Sequence, residues 1–406
     1  MNDKIDFSSP YEKRMVIGAS ILLMVFSGPY FCWWITHSVV LKWLTTLMIG
    51  YIFYRNTGRL KATENRAKRL YVFALMYLVL SSIFRQKVTF FGAIDLMQNL
   101  FLVNLLCINV QFSRKVYKYY HSLFTGLMFL SILAYLVDFF GFLPSLGTIN
   151  NPIQDRTYTI YPFLVKENLV DIYSVSHVRF CGAFDEPGAI GTISAVLLCI
   201  EQFKFNNWKN IVLLITGLLS MSLAFYLIFI LYSISYVFFI KKKLIMSFMI
   251  IMSLGIFYYY TQDNEMFEKL IWNRMKWNEE TQSLAGENRM VGDADMYFDK
   301  HVKGTYAYWF GLDDVESFWK SAKGSSSYKV VIAENGILFL FMYLLCFIML
   351  AFKYKSSKFE LLMFLALLIA NTMQRPNLYS ALWIFLYAYY ARLNYNEISS
   401  QKLAID

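Results

Sequence analysis

Long apolar runs recur along almost the entire chain, interrupted by short polar connections and by two long ones. A helix needs about 20 residues to cross roughly 30 Å of hydrocarbon, and only helices or closed barrels satisfy their backbone there. The pattern predicts twelve helices, near residues 14–31, 38–54, 70–84, 89–111, 120–140, 187–203, 210–220, 222–240, 244–260, 330–351, 359–373 and 378–391. The stretch from 210 to 240 reads either as two helices or as one long tilted helix. The small polar cluster Gly217, Ser220 and Ser222 argues for a break near the outer face. The two long connections, 141–178 and 261–329, are of a length that usually carries function. They divide the chain into an N-terminal bundle (1–140), a first loop (141–178), core helices (179–260), a large loop (261–329) and C-terminal helices with a tail (330–406).

Composition turns this pattern into a fold class. The 406 residues are 57% hydrophobic and only 16% charged, with a mean hydropathy of +0.43, well outside the range of soluble domains. The expected architecture is an all-α polytopic integral membrane protein with about twelve transmembrane helices, two long extracytoplasmic loops and no separate soluble domain. The first run follows a charged start, lacks a small-residue cleavage site and leads into further spans, so it is expected to be retained. With the N-terminus inside, the inside segments hold 22 of the 38 Lys and Arg. Short loops decide orientation, and they favour both termini in the cytoplasm. The net charge of +10 then follows from topology and not from nucleic-acid binding. The tract Arg55–Arg69, with six cations and one Glu, reads as a cytoplasmic loop touching anionic headgroups.

Several polar groups have plain structural readings. Cys32, Cys107, Cys181, Cys199 and Cys346 mostly sit in apolar runs without metal spacing, as packing residues do. Asp293 and Asp295 have the Asp-x-Asp spacing that chelates metal in nucleotide-sugar transferases, but two acids in a mixed-charge loop arise easily by chance, and no metal is expected. Asp95, Gln98 and Asn99 share one face of the fourth predicted helix, as an interhelical polar contact would. Of His37, His121, His177 and His301, only His177 lies beside the motif considered next, and it reads as a surface residue.

That motif, Arg179-Phe-Cys-Gly-Ala-Phe-Asp-Glu-Pro-Gly-Ala-Ile-Gly191, sets a cation, two carboxylates and helix-breaking residues directly before an apolar span. Pro187 suits the first turn of a helix, and Asp185 or Glu186 before it can cap the exposed amides. An arginine at the hydrocarbon edge either snorkels to headgroups or pairs with an anion. Next to exposed helix N–H groups, Arg179 would make a receptor for phosphate or pyrophosphate. The long loops add Tyr158, Tyr161, Phe163, Arg274, Trp277, Arg289, Trp309 and Trp319. Aromatic faces with acid and amide groups suit sugars, and each ring alone is equally consistent with anchoring at the headgroup level.

These residues resemble the bacterial O-antigen and capsular repeat-unit polymerases, which share a superfamily with the O-antigen ligases. Arg179 to Gly188 looks like that family's Arg-x-x-Gly-x-Phe-x-Glu-Pro signature, and Gly217 to Tyr226 is similar to its small-residue Ser motif. Glu287-Asn-Arg289 resembles the loop arginine, Glu334-Asn-Gly336-Ile the start of the following helix, and Gln374-Arg375-Pro376 a later turn. Ser325 to Lys329 stands where the ligases carry a His, which tilts the resemblance toward polymerase. The resemblance covers residues 179–351.

It implies a GT-C-like bundle in the bacterial cytoplasmic (inner) membrane. The implied substrate is an oligosaccharide repeat unit on undecaprenyl pyrophosphate, joined to another at the outer face with inversion, to build O-antigen or capsule. Arg179 and Arg289 would stabilise the pyrophosphate leaving group, and Glu186, Asp185 or Glu334 would accept the acceptor's proton. Ser220, Ser222, Arg274, Tyr328 and Arg375 would line the substrate site. No cofactor or nucleotide sugar is expected, since the lipid carries the activated glycan. Implied partners are the lipid-linked oligosaccharide, membrane lipids, a chain-length regulator and a flippase. The competing readings are an O-antigen ligase, a lipid-linked glycan flippase or transporter, and a non-catalytic envelope scaffold.

Overall fold

Several helices begin at a side-chain cap, and some end next to Gly or a left-handed residue. In the computed structural model the described residues are 7, 9–36, 38–56, 62–84, 100, 102–107, 109–151, 156–167, 179–241, a subset of 249–268, 277–278, 283–284, 293–322, 327–355, 357–374, 378 and 380–393. Helix α1 (Pro10–Phe26) opens with Ser9 accepting from the Glu12 N–H and Pro10 in the first turn. It closes before Gly28 (φ 82°) and Pro29, so it is shorter than the predicted run to residue 31. A short α2 (Trp33–Thr36) leads to α3 (Val39–Arg55) and α4 (Ala62–Phe84). Residues 62–69, expected to belong to a cytoplasmic loop, are instead the first two turns of α4, where Glu64 pairs with Arg392.

The fourth and fifth predicted helices need correction. Residues 85–99 lie outside the described set, a 3₁₀ turn covers Val103–Cys107, and α5 (Val110–Phe139) already starts at Val110. Arg114–Lys118, expected to be a connection, are therefore helical. Asn109 caps the Gln111 N–H, no Gly or Pro interrupts the turn, and Lys115 pairs with Glu12 at 2.7 Å, which accommodates charge on a helix.

The first long loop holds a sheet that hydropathy does not announce. Strands β1 (Gly147–Asn151), β2 (Arg156–Tyr161) and β3 (Leu164–Glu167) pair antiparallel in that order, with Thr148 opposite Thr159 and Ile160 opposite Val165. Lys166 of β3 pairs with Asp138 of α5, which seats the sheet on the bundle. The core helices follow: α6 (Pro187–Ile200), α7 (Trp208–Leu219) and α8 (Leu223–Phe239). The break predicted at Ser220–Ser222 is present, with Met221 left-handed at φ 46°. Beyond it lie a two-stranded ribbon of β4 (Trp277–Asn278) and β5 (Ser283–Leu284), then α9 (Ala294–His301), α10 (Tyr306–Phe310) and α11 (Val315–Ala322). The chain ends in α12 (Tyr328–Tyr354), α13 (Lys358–Gln374) and α14 (Ala381–Ala391).

The chain is thus mostly helical, and α5 and α12 are long and apolar enough to cross a membrane. Helices α6, α7, α8 and α14 are apolar but shorter. Every residue of α14 is buried, which makes it the centre of the bundle. Helices α4 and α12 run antiparallel against each other, with Tyr71 and Tyr343 ring centroids 6.0 Å apart and the Cys346 thiol donating to the Ala67 carbonyl. Among the described residues Cys32, Cys181, Cys199 and Cys346 are free and buried, in keeping with a packing role.

Charges gather where α14 ends. Arg392 pairs with Glu64 at 3.3 Å, with side chains only 2% and 7% exposed. Lys355, just past α12, lies 4.0 Å from the centroid of the Tyr390 ring. Burial pushes its ammonium down to about 8, and Glu360 opposes that shift.

Candidate functional site

The 179–186 loop is immobilised by four neighbours. The Phe180 N–H donates to Leu219 O at the end of α7, Val165 N–H of β3 donates to Gly182 O, and Tyr30 N–H after α1 donates to Ala183 O. Phe180, Ala183 and Phe184 are fully buried. Phe180 stands edge-on to Tyr135 and Phe184 lies near Phe124, both on α5. Gly182 has φ 55°, and a Cβ there would come within 3.3 Å of Met128, Ser131 and Phe180. The interior of the loop is thus core, while Arg179, Asp185 and Glu186 stay half-buried at its two ends.

Arg179 has a partner that the sequence does not name. Its Nε donates to Ser220 O and its Nη2 to Met221 O, both at 3.3 Å. Ser220 is the C-cap of α7 and Met221 follows it in the break, so Arg179 sits at the negative end of the helix dipole. The guanidinium fork is therefore held in a fixed orientation by the α7–α8 break.

Ser220 and Ser222, expected to line a substrate site, are buried behind that arginine. The Ser220 hydroxyl donates to Gly217 O at 2.7 Å. A Cβ on Gly191 of α6 would lie 2.4 Å from the Ser222 Cβ and 2.6 Å from the Ser220 Oγ, so small residues on both sides let the break press against α6. Gly191→Ala is expected to destabilise the protein by about 1–3 kcal/mol, the usual cost of overpacking. The check is a lower melting temperature in detergent, with partial recovery in Gly191→Ala combined with Ser222→Gly.

At the start of α6, Pro187 occupies the first turn and Glu186 the N-cap in extended conformation (φ −134°, ψ 130°). The Glu186 side chain closes no cap hydrogen bond, contrary to the expected capping role. Only six residues separate the Glu186 cap from Arg179, so the positive end of the α6 dipole and the arginine belong to one short segment.

Glu334 is set in a second built feature. Trp319 Nε1 of α11 donates to its Oε1 at 2.8 Å. Two residues on, Gly336 leaves helical geometry (φ 80°, ψ 160°), and a Cβ there would sit 2.2 Å from Trp309 O. The kink frees Ala333 O to accept the Leu312 N–H at 2.7 Å. Helix α12 therefore starts at Tyr328, ahead of the expected Glu-x-Gly start, and bends at that motif. Tyr328 is its half-buried first residue. Asp295 of α9 pairs with Lys329 at 2.8 Å and Asp293 occupies the N-cap of α9, which ties this helix to α12. Among the described residues no three His, Cys, Asp or Glu gather as a metal-binding group. Arg274, Arg289, Arg375, His37, His177, Asp95, Gln98 and Asn99 lie outside the described residues.

Sequence reasoning missed the carbonyl cradle of Arg179 and the indole partner of Glu334. The left-handed Met221 that shapes the cradle carries no local signal, since nothing in Ser-Met-Ser favours φ > 0. Gly336, two residues past Glu334, is the one visible sign of the kink. Comparison of the chain with protein families, with curated proteins and with solved structures finds no match.

Proposed function

We propose that this chain is an oligosaccharide repeat-unit polymerase of the bacterial cytoplasmic membrane, a multi-pass protein of about twelve crossing helices with both termini inside. The observation that carries the reading is the Arg179 fork, held by Ser220 O and Met221 O one short loop from the α6 amino end. Support also comes from the likeness of the 179–188, 217–226 and 334–337 segments to the polymerases.

The reaction asks for such a site. An acceptor sugar hydroxyl attacks the anomeric carbon of the lipid-linked unit from the face opposite the pyrophosphate. The C–O bond to pyrophosphate breaks, its electron pair leaves with the phosphate oxygen, and the anomeric centre inverts. Charge builds on the leaving group, so a fixed cation and a helix amino end stabilise the transition state more than the ground state. The hydroxyl proton passes to a carboxylate, for which Glu186, Asp185 and Glu334 are the candidates. Arg289 is proposed as the second cation from the large loop, and Arg274, Tyr328 and Arg375 as substrate contacts. The ligase and flippase readings predict different cell phenotypes. In a deletion strain complemented with this chain, surface glycan is expected to run as a ladder, and as single units without it. Loss of all surface glycan on deletion would replace the polymerase reading with export or ligation.

A further inference from the structure

Helix α4 has two faces of different character. Its inward stripe is occupied: Glu64 by Arg392, the Ala67 carbonyl by Cys346, and Tyr71 by Tyr343. Its outward stripe borders a shallow, open groove of about 360 Å³, whose described lining residues, Asn65, Lys68, Arg69, Val72, Phe73 and Met76, all belong to α4. Those positions advance in alternating steps of three and one, so they form one ribbon along the helix, about 16 Å long at 1.5 Å per residue.

The ribbon is graded. Asn65, Lys68 and Arg69 occupy its start, and Val72, Phe73 and Met76 the rest. Glu64, the one acid on α4, faces inward and is matched by Arg392. Among the described residues no carboxylate forms an ion pair with Lys68 or Arg69. Phe73 and Met76 are 61% and 54% exposed, favourable beside lipid tails and unfavourable in water.

We propose that this groove binds one anionic glycerophospholipid, with its phosphate on Lys68, Arg69 and Asn65 and an acyl chain along Val72, Phe73 and Met76. The gradient selects the occupant. A soluble anion gains nothing from the apolar half, and a zwitterionic lipid gains little from two unmatched cations. The tract ending at Arg69 thus holds a defined single-lipid site in addition to diffuse headgroup contact. The inference rests on membrane placement of α4 and not on the polymerase reading.

The test uses the full chain in phosphatidylcholine nanodiscs titrated with phosphatidylglycerol, with retained lipids counted by native mass spectrometry. Wild type is expected to keep one phosphatidylglycerol, and Lys68→Gln with Arg69→Gln to weaken it about 30-fold, as two surface cations at about 1 kcal/mol each imply. Met76→Trp, which fills the tail end without changing charge, is also expected to weaken it. Arg55→Gln with Arg66→Gln removes equal charge from exposed positions that do not line the groove, and is expected to leave it intact. Equal weakening in that control, or no change in the Lys68 and Arg69 pair, overturns the site. Preferential retention of undecaprenyl phosphate overturns the glycerophospholipid as occupant.

Discussion

Arg179→Gln is expected to reduce surface glycan to single units while leaving the protein at wild-type abundance in the membrane. Gln keeps an N–H donor for the carbonyls of Ser220 and Met221, which Arg179 bonds at 3.3 Å, but removes the charge. Arg179→Ala removes both, and loss of a hydrogen bond to a charged group costs about 1.5–3 kcal/mol of stability in addition to the activity. Arg179→Lys keeps a point charge without the two-pronged fork and is expected to give short ladders. Removing a preorganised electrostatic group typically costs about 10²–10³-fold in rate. A wild-type ladder from Arg179→Gln would reduce this arginine to a clasp on the α7–α8 break and leave the chemistry to other residues.

Arg392→Ala and Glu64→Ala are each expected to destabilise the bundle by about 3–5 kcal/mol, because each takes the opposite charge away from a buried ion. The pair lies where α4 begins and α14 ends, with side chains 7% and 2% exposed, and the Arg392 Nε also donates to Ala388 O. The double replacement Glu64→Leu with Arg392→Met is expected to be far milder than either single change, since an apolar pair avoids the desolvation of two ions. Melting temperature and monodisperse yield in detergent give the readout. If the double variant is as poor as the singles, the ion pair itself, and not the burden of an orphaned charge, holds the ends together. The inward use of Glu64 is also what leaves Lys68 and Arg69 without an acidic match on the outward side of the same helix.

The hydrophobic pattern was enough to locate α3, α7, α8, α13 and the break at Ser220–Ser222 within a few residues, whereas α2 and α9 to α11 have no counterpart among the predicted helices. Apolar periodicity and Gly, Pro or Ser punctuation act locally, so they are visible in a single chain. The misreadings arose where a charge looked like a boundary. Arg114–Lys118 continue α5 because a distant acid, Glu12, pairs with Lys115. The sheet at 147–167 carries a local sign, since Tyr158 and Ile160 of β2 are buried between the more exposed Thr157, Thr159 and Tyr161, but six residues of period-two alternation are overshadowed by the long apolar runs around them.

The candidate site divides in the same way. The identity of its polar residues, Arg179, Asp185, Glu186 and Glu334, and the helix start at Pro187 were already legible in the order of residues, because local backbone chemistry governs them. What each side chain touches depended on folding. The carbonyls of the α7–α8 break reach Arg179 across 41 and 42 residues, and Trp319 reaches Glu334 from a separate helix. Such partners are chosen by the packing of elements distant in the chain, and packing depends on shape and exclusion that no linear pattern records. For that reason the sequence alone could mark a cation beside a helix start, while only the tertiary structure could show that its orientation is held by the end of another helix.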